Sequence, residues 1–197
     1  MYEIALFRVA VVGDEFVGKT SIVHALLSGG IQFSKNYVMT SDVVVNVKDI
    51  ALPEFKDVVE LLILDSAGNS LYEDYLPRFW KELDAAFIVF DLTSEKSYNS
   101  IDKWVDKVKN VQKTRVGKGT TNSSIPGVIF ANKNDLLETR AVNPEIGRSL
   151  ASQLGFGYFE GSAKNNNSID EAFKYLAKEL HNKFNSIFDE NQAELHD

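Results

Sequence analysis

The sequence predicts an α/β fold with a six-stranded, mostly parallel sheet, one antiparallel edge strand and helices on both faces. Two observations lead to this expectation. Apolar, β-branched runs alternate with stretches of helical periodicity, and most pairs of runs have such a stretch between them. The predicted strands are residues 4–12, 43–47, 58–64, 85–90 and 128–131, with a shorter one near Tyr158 and Phe159. The predicted helices are residues 19–27, 98–111, 145–154 and 169–184.

The connections between these segments set the direction of each strand. The run at 4–12 leads through a glycine-rich loop into the first helix, as a parallel strand requires. The second and third runs are joined through Pro53 without a helix, so they form a hairpin with one antiparallel edge strand. The three later runs are each followed by a helical pattern. In sheets of this kind, ligands bind beyond the carboxyl ends of the strands.

Composition narrows the functional class. The 197 residues, 44% hydrophobic and 25% charged, fit one domain, which we place at 1–188, with an acidic flexible tail at 189–197. A net charge of −7 gives no overall positive field for nucleic acid or an anionic membrane. The chain has no cysteine, which excludes disulfides, thiolate metal sites and cysteine-linked lipid anchors within it. We expect a cytoplasmic protein that binds neither nucleic acid nor, by a lipid anchor, a membrane.

A phosphate-binding loop follows the first predicted strand. Residues 13–20 read G-D-E-F-V-G-K-T, which matches G-x-x-x-x-G-K-[ST]. In such loops the backbone N–H groups surround a β-phosphate, the lysine reaches the β- and γ-phosphates, and the final hydroxyl can ligate Mg²⁺. The residues predicted to contact nucleotide here are Gly13, Asp14, Glu15, Phe16, Val17, Gly18, Lys19, Thr20 and Ser21. The loop therefore predicts a nucleoside triphosphate site.

Two later motifs favour guanine. The strand at 128–131 is followed by N-K-x-D, and the last strand is followed by E-G-S-A-K. Guanine presents N1–H and its N2 amino group as adjacent donors, and the single carboxylate of Asp135 can accept from both, whereas adenine has no such pair. The Lys133 stem can cover one ring face, and the Ala163 N–H can donate to O6. The predicted base site consists of Asn132, Lys133, Asp135, Ser162, Ala163 and Lys164.

A third motif faces the γ-phosphate. Asp65 to Gly68 follow the third strand and match D-x-x-G. We expect Asp65 to hold Mg²⁺, through water, and the Gly68 N–H to meet the γ-phosphate.

Together, in this order, the motifs resemble those of the Ras superfamily of small GTPases, of the Rab-like type, which have a P-loop NTPase fold. The resemblance implies GTP or GDP and Mg²⁺ as ligands. It places Tyr37 in the first switch and Thr40 as the Mg²⁺ ligand that senses the γ-phosphate. It also places Phe33 against the guanine, with a core residue as the less favoured alternative. The implied metal ligands are Thr20, Thr40 and Asp65, and the implied catalytic set is Lys19, Thr40, Gly68 and Asn69.

Within that superfamily, residues 33–47, 59–68 and 90–98 are similar to the Rab-like GTPases of intraflagellar transport complex B. This similarity implies an adaptor in cilia or flagella that pairs with a small β-sandwich subunit and the rest of that complex. Two alternatives stay open, namely a trafficking GTPase outside cilia and a structural GTP-binding subunit without meaningful hydrolysis. An ATP-dependent kinase leaves the N-K-x-D motif unexplained.

Three positions depart from the pattern of an active GTPase. Asn69 stands where most small GTPases have the glutamine that orients the attacking water, and asparagine is one methylene shorter. Glu15 stands where glycine or serine is usual, and its carboxylate adds repulsion and bulk near the γ-phosphate. Asp42 replaces the glycine that is usual in Rab proteins. We predict intact nucleotide binding with slow intrinsic hydrolysis.

Overall fold

A single six-stranded sheet forms the centre of the molecule. The computed structural model describes residues 5–31, 39–116 and 125–194. The strands are β1 (Ala5–Val12), β2 (Val43–Leu52), β3 (Asp57–Ser66), β4 (Ala85–Asp91), β5 (Gly127–Asn132) and β6 (Gly157–Glu160). Their order in the sheet is β2-β3-β1-β4-β5-β6. The β2–β3 pair is antiparallel and every other pair is parallel, which confirms the predicted topology.

The helices cover both faces of the sheet, as predicted. They are α1 (Lys19–Ser28), α2 (Glu95–Asn99), α3 (Ile101–Val116), α4 (Pro144–Leu154) and α5 (Ile169–Glu194). One apolar layer contains buried residues of α1 and α5, and the ring of Phe173 lies 4.3 Å from that of Phe87 on β4. The other layer contains buried residues of α3 and α4, including Trp104. No helix in the described ranges is long and apolar enough to cross a membrane.

Some boundaries differ from the predicted ones, for local reasons. The helix predicted at 98–111 is two helices, because the Ser94 hydroxyl accepts a hydrogen bond from the Ser97 N–H and starts a separate short helix. The β2–β3 hairpin reaches the turn at 53–56, since β2 alternates partly exposed and buried residues to its end at Leu52. Helix α5 continues from the predicted end at 184 to Glu194 and so includes part of the predicted tail. The flexibility of that tail stays a prediction.

The carboxyl ends of the parallel strands gather the predicted motifs at one edge of the sheet. Val11 on β1 pairs with Asp65 on β3, and Asp91 on β4 pairs with Asn132 on β5. Ala131 pairs with Glu160 at the end of β6. The phosphate loop, D-x-x-G, N-K-x-D and E-G-S-A-K segments therefore all begin at this edge, as expected for a ligand site in a doubly wound sheet.

Candidate nucleotide-binding site

The phosphate loop connects β1 to α1 through a conformation that its glycines permit. Gly13 has a φ of 146° and Gly18 a φ of 94°. A Cβ on Gly13 would collide with the Val89 carbonyl, and one on Gly18 would collide with the Asn132 side chain. Phe16 has a φ of 64°, which is unusual for an aromatic residue, and its side chain is 59% exposed. Val17 is buried below the loop, and Ser21 lies in the first turn of α1.

Lys19 lies at the centre of this loop. Its side chain is only 6% exposed, and its ammonium donates to the carbonyls of Gly13, at 2.9 Å, and Asp14, at 2.8 Å. Burial lowers the pKa of Lys19 to about 8, against the opposing effect of nearby carboxylates, of which Asp65 is the strongest. The backbone carbonyls of the loop thus hold the Lys19 ammonium in place.

A group of oxygen ligands lies beside the lysine. The hydroxyl oxygens of Thr20 and Thr40 are 2.9 Å apart. Asp65 is 1% exposed, and its Oδ1 is one of the few buried side-chain atoms in the described residues without a hydrogen-bond partner. Burial raises the pKa of Asp65, and the Thr20 hydroxyl and the Lys19 charge partly offset this effect. Buried carboxylate oxygens are normally paired, so this one is explained by a cation at the site.

This ligand set fits Mg²⁺. Magnesium prefers hard oxygen ligands and commonly takes one or two protein carboxylates, with phosphates and water completing its shell. The described residues contain no group of three or more histidines and carboxylates that could form an all-protein metal site. One carboxylate with two hydroxyls, next to a phosphate loop, therefore fits a magnesium ion that also binds phosphate oxygens.

The D-x-x-G segment lies directly on the phosphate loop. A Cβ on Gly68 would collide with the Lys19 ammonium and would lie 2.5 Å from the Asp14 carbonyl carbon. Only glycine allows this approach of the two backbones. The neighbouring Ala67 N–H donates to the Asp42 carbonyl at 3.0 Å, so the segment also contacts the residue that precedes β2.

At the other end of the site, Asn132 connects two motifs. Its amide nitrogen donates to the Val17 carbonyl at 2.8 Å, and its amide oxygen accepts from the Ala163 N–H at 3.0 Å. The Ala163 N–H, which the sequence analysis assigned to guanine O6, therefore has a protein acceptor in this structure. Asn132 fixes the spacing between the phosphate loop and the E-G-S-A-K segment.

Asp135 is held as an ionised acceptor. The Ser162 hydroxyl donates to its Oδ1 at 2.6 Å, and the Lys164 ammonium lies 3.4 Å from its Oδ2. Burial opposes the charge of Asp135, but the hydrogen bonds, first that from Ser162, and the charge of Lys164 outweigh it and lower the pKa. A carboxylate fixed in this way can accept two adjacent donors.

The structure brings in two side-chain contacts that sequence reasoning missed. Lys133 has a φ of 67°, and its ammonium lies 2.7 Å from the Asp91 carboxylate at the end of β4. The Asn69 amide donates to the Glu15 carboxylate at 2.7 Å, and its oxygen accepts from the Leu71 N–H at 3.0 Å. Both unusual residues, Glu15 and Asn69, were recognised in the sequence, but nothing indicated that they bind each other. Phe33 and Tyr37 lie outside the described residues.

Comparison with known proteins identifies the family. The Ras family profile matches residues 8–182, almost the whole chain. The chain belongs to the Ras family. It is 35% identical to the intraflagellar transport protein 27 homolog of Bos taurus, over 92% of this chain and 93% of the relative. It is 33% identical to intraflagellar transport protein 27 of Chlamydomonas reinhardtii, over 79% and 74%. It is also 30% identical to the Ras-related protein Rab-3B of Bos taurus, over 96% and 81%.

The family assignment gives the ligand class and the reaction in general terms. Ras-family GTPases bind GTP and GDP, typically with Mg²⁺, and hydrolyse GTP. In this Ras-family chain, the predicted phosphate, metal and base residues within the described ranges converge at one edge of the sheet. The unusual feature lies at the phosphate end, where the residue after Gly68 is bound to the phosphate loop.

Proposed function

We propose that this Ras-family chain is a Rab-like GTPase of intraflagellar transport that retains GTP because it hydrolyses it slowly. The observation that carries the kinetic part is the 2.7 Å hydrogen bond from Asn69 to Glu15. The similarity to intraflagellar transport protein 27 of several organisms carries the biological part.

The proposed roles of the residues follow from their chemistry. Lys19 and the loop N–H groups of residues 13–20 bind the phosphates, and Gly68 contacts the γ-phosphate. Thr20, Thr40 and Asp65 hold Mg²⁺, which neutralises charge that develops on the phosphates during transfer. Asp135 accepts from the guanine N1–H and N2 amino group, Lys133 covers the ring, and Asn132, Ser162, Ala163 and Lys164 support both. Phe33 and Tyr37 keep their proposed places at the nucleotide.

Slow hydrolysis follows from what Asn69 contacts. The residue after Gly68 must orient the attacking water, which needs a side chain that reaches the water and has polar atoms available. Asn69 donates to Glu15 and accepts from the Leu71 N–H, so both ends of its amide have protein partners. Glu15 also brings a negative charge to the loop that must stabilise developing negative charge. Positioning and electrostatics therefore both act against the chemical step.

Partners and location are proposed from the relatives. We propose that the chain binds a protein partner within an intraflagellar transport complex, and that this partner is a small β-sandwich subunit. The proposed location is the cytoplasm and the cilium or flagellum. The alternative of a trafficking GTPase outside cilia is supported by the 30% identity to Rab-3B. The structural alternative is supported by the same Asn69 contact that slows hydrolysis.

The test is to denature the purified protein, identify the released nucleotide, and then follow one turnover of GTP with and without Mg²⁺. We expect GTP or GDP at about one per chain, and Mg²⁺-dependent hydrolysis roughly tenfold slower than that of a glutamine-bearing Rab measured alongside. Equal rates for the two proteins would refute slow hydrolysis. Bound GTP without any turnover would favour the structural alternative, and bound adenine nucleotide would refute the base assignment.

A further inference from the structure

Helix α3 contacts both the phosphate loop and the segment after Gly68 through one lysine. The Lys103 ammonium lies 2.7 Å from Oε1 of Glu73 and 3.5 Å from Oδ1 of Asp14. Asp14 is the second residue of the phosphate loop, and Glu73 belongs to the turns that follow D-x-x-G. The three residues are far apart in the sequence, and Lys103 belongs to none of the nucleotide-binding motifs described above.

The aspartate end of this bridge is firmly placed. The indole N–H of Trp104 donates to the same Asp14 Oδ1 at 2.8 Å, and Trp104 itself is 1% exposed in the core. On its backbone side, Asp14 lies against Gly68 and its carbonyl accepts from Lys19. Asp14 is therefore contacted on one side by α3 and on the other by the residue proposed to meet the γ-phosphate.

The glutamate end is shared between two lysines. The second oxygen of Glu73 lies 3.4 Å from the Lys107 ammonium, one helical turn after Lys103. The Glu73 and Asp14 side chains are only 13% and 16% exposed. An isolated surface ion pair has little effect, but a network of several charges around a partly buried carboxylate is held more strongly.

We propose that Lys103 is a positioning residue for GTP: by bridging Asp14 and Glu73, it holds the Gly68 segment against the phosphate loop. This inference rests on the proposed function. Gly68 senses the γ-phosphate, which GTP has and GDP lacks, so loosening the segment weakens the hold on GTP more than the hold on GDP. A purely structural role for Lys103 would affect both nucleotides equally.

The test compares Lys103→Met with Lys109→Met in the full-length protein. Lys109 lies on the same helix, so the control loses the same charge from the same element. Dissociation of a fluorescent, non-hydrolysable GTP analogue and of fluorescent GDP is measured for each, with Mg²⁺. For Lys103→Met we expect about fivefold faster release of the analogue and less than about twofold faster release of GDP. Lys103→Arg keeps the charge and several donors in a different shape, so its release rates should lie closer to wild type than those of Lys103→Met.

A second variant makes the test independent of the folding of the first. Glu73→Gln removes the other end of the bridge and should accelerate release of the GTP analogue in the same selective way. The double variant, with Lys103→Met and Glu73→Gln, should release the analogue more slowly than the product of the two single effects predicts, because both changes weaken the same Lys103–Glu73 pair. Equal effects on the two nucleotides, or a Lys103 variant that behaves like Lys109→Met, would overturn the inference while leaving GTP binding intact. A wild-type protein that binds no guanine nucleotide would instead overturn the proposed function.

Discussion

The predicted nucleotide site has two parts that are built in different ways. The base end consists of the N-K-x-D and E-G-S-A-K segments, and the phosphate end consists of the phosphate loop and the D-x-x-G segment with Asn69. At the base end, the partners of Asp135 are Ser162 and Lys164, which belong to a motif that is itself recognisable. At the phosphate end, the partners are unexpected, since Asn69 binds Glu15 and the α3 tryptophan binds Asp14. Under the proposed function, the difference teaches that one fold can keep the recognition of its ligand while the groups that act on the ligand bind one another instead.

The two ends also differ in what their contacts do to charge. Burial opposes the charge of Asp135, but its contacts outweigh this effect and lower its pKa, so Asp135 is an ionised acceptor at the predicted base site. The contact between Asn69 and Glu15 occupies the amide that, under the proposed function, would otherwise orient water. Nucleotide binding and GTP hydrolysis should therefore respond to different substitutions.

The largest expected effect lies at the base end. Asp135→Asn removes the acceptor for one of the two guanine donors and the ion pair with Lys164, so guanine affinity should fall about 100-fold or more. Xanthine has an oxygen in place of the N2 amino group, and the new amide N–H suits it, so preference should shift toward xanthosine nucleotides. Equilibrium binding of fluorescent GDP and its xanthosine counterpart measures both changes. Asp106→Asn, an exposed change of the same kind on α3, should leave both affinities unaltered.

An Asp135→Asn protein with unchanged base preference would contradict the assignment of the base end. The Asp135 carboxylate would then have only a structural role, and the base end could no longer be contrasted with the phosphate end as the part that recognises the ligand.

A smaller effect is expected at the phosphate end, on rate rather than on affinity. Restoring glutamine with Asn69→Gln while removing the carboxylate with Glu15→Ser should accelerate single-turnover GTP hydrolysis by about tenfold, because the longer amide is then no longer held by a charged acceptor on the loop. GDP affinity should change by less than about threefold, since Gly13 and Lys19 keep their contacts. Glu138→Ser, which removes an exposed carboxylate from a short turn far along the chain, is the charge-matched control for Glu15→Ser. An unaltered rate in the double variant would mean that the Asn69 contact does not limit hydrolysis.

The contrast also explains what the sequence could predict. The six-stranded, mostly parallel sheet, the hairpin through Pro53 and the convergence of the motifs follow from patterns of local residues and connection lengths. The contact between Glu15 and Asn69 joins residues 54 positions apart, and that between Asp14 and Trp104 spans 90 positions. Such contacts depend on how two loops and a helix pack, which periodicity does not record. The bond from the Ala163 N–H to Asn132 was not predicted for the same reason, since it becomes visible only when β5 and the loop after β6 are placed together. The contact of Ala163 with guanine O6 stays a prediction.

The smallest effect should appear in the layer that supports the base end. Arg140 lies 2.5 Å from Oε1 of Glu160, the first residue of E-G-S-A-K, and also donates to the Val142 carbonyl at 2.8 Å. Arg140→Met leaves the partly buried Glu160 with the hydroxyl of Tyr158, so the free energy of unfolding should fall by about 1–2 kcal/mol. Arg78→Met is the matched control, because it also removes a guanidinium, one that lies over the Tyr75 ring, 5.2 Å from its centre.

The effect of Arg140→Met should depend on pH in a definite direction. Burial opposes the charge of Glu160, but the hydrogen bond from Arg140 outweighs it and lowers the pKa below its ordinary value of 4.5. A carboxyl whose pKa is lowered by folding stabilises the fold above its unfolded pKa and loses that contribution as the pH falls. Urea unfolding should therefore show the full difference from wild type near pH 7 and a smaller one below about pH 4. A difference that stays constant across this range would mean that Arg140 stabilises the fold by packing. The residues that support the base end would then not depend on charge, in contrast to Asp135 itself.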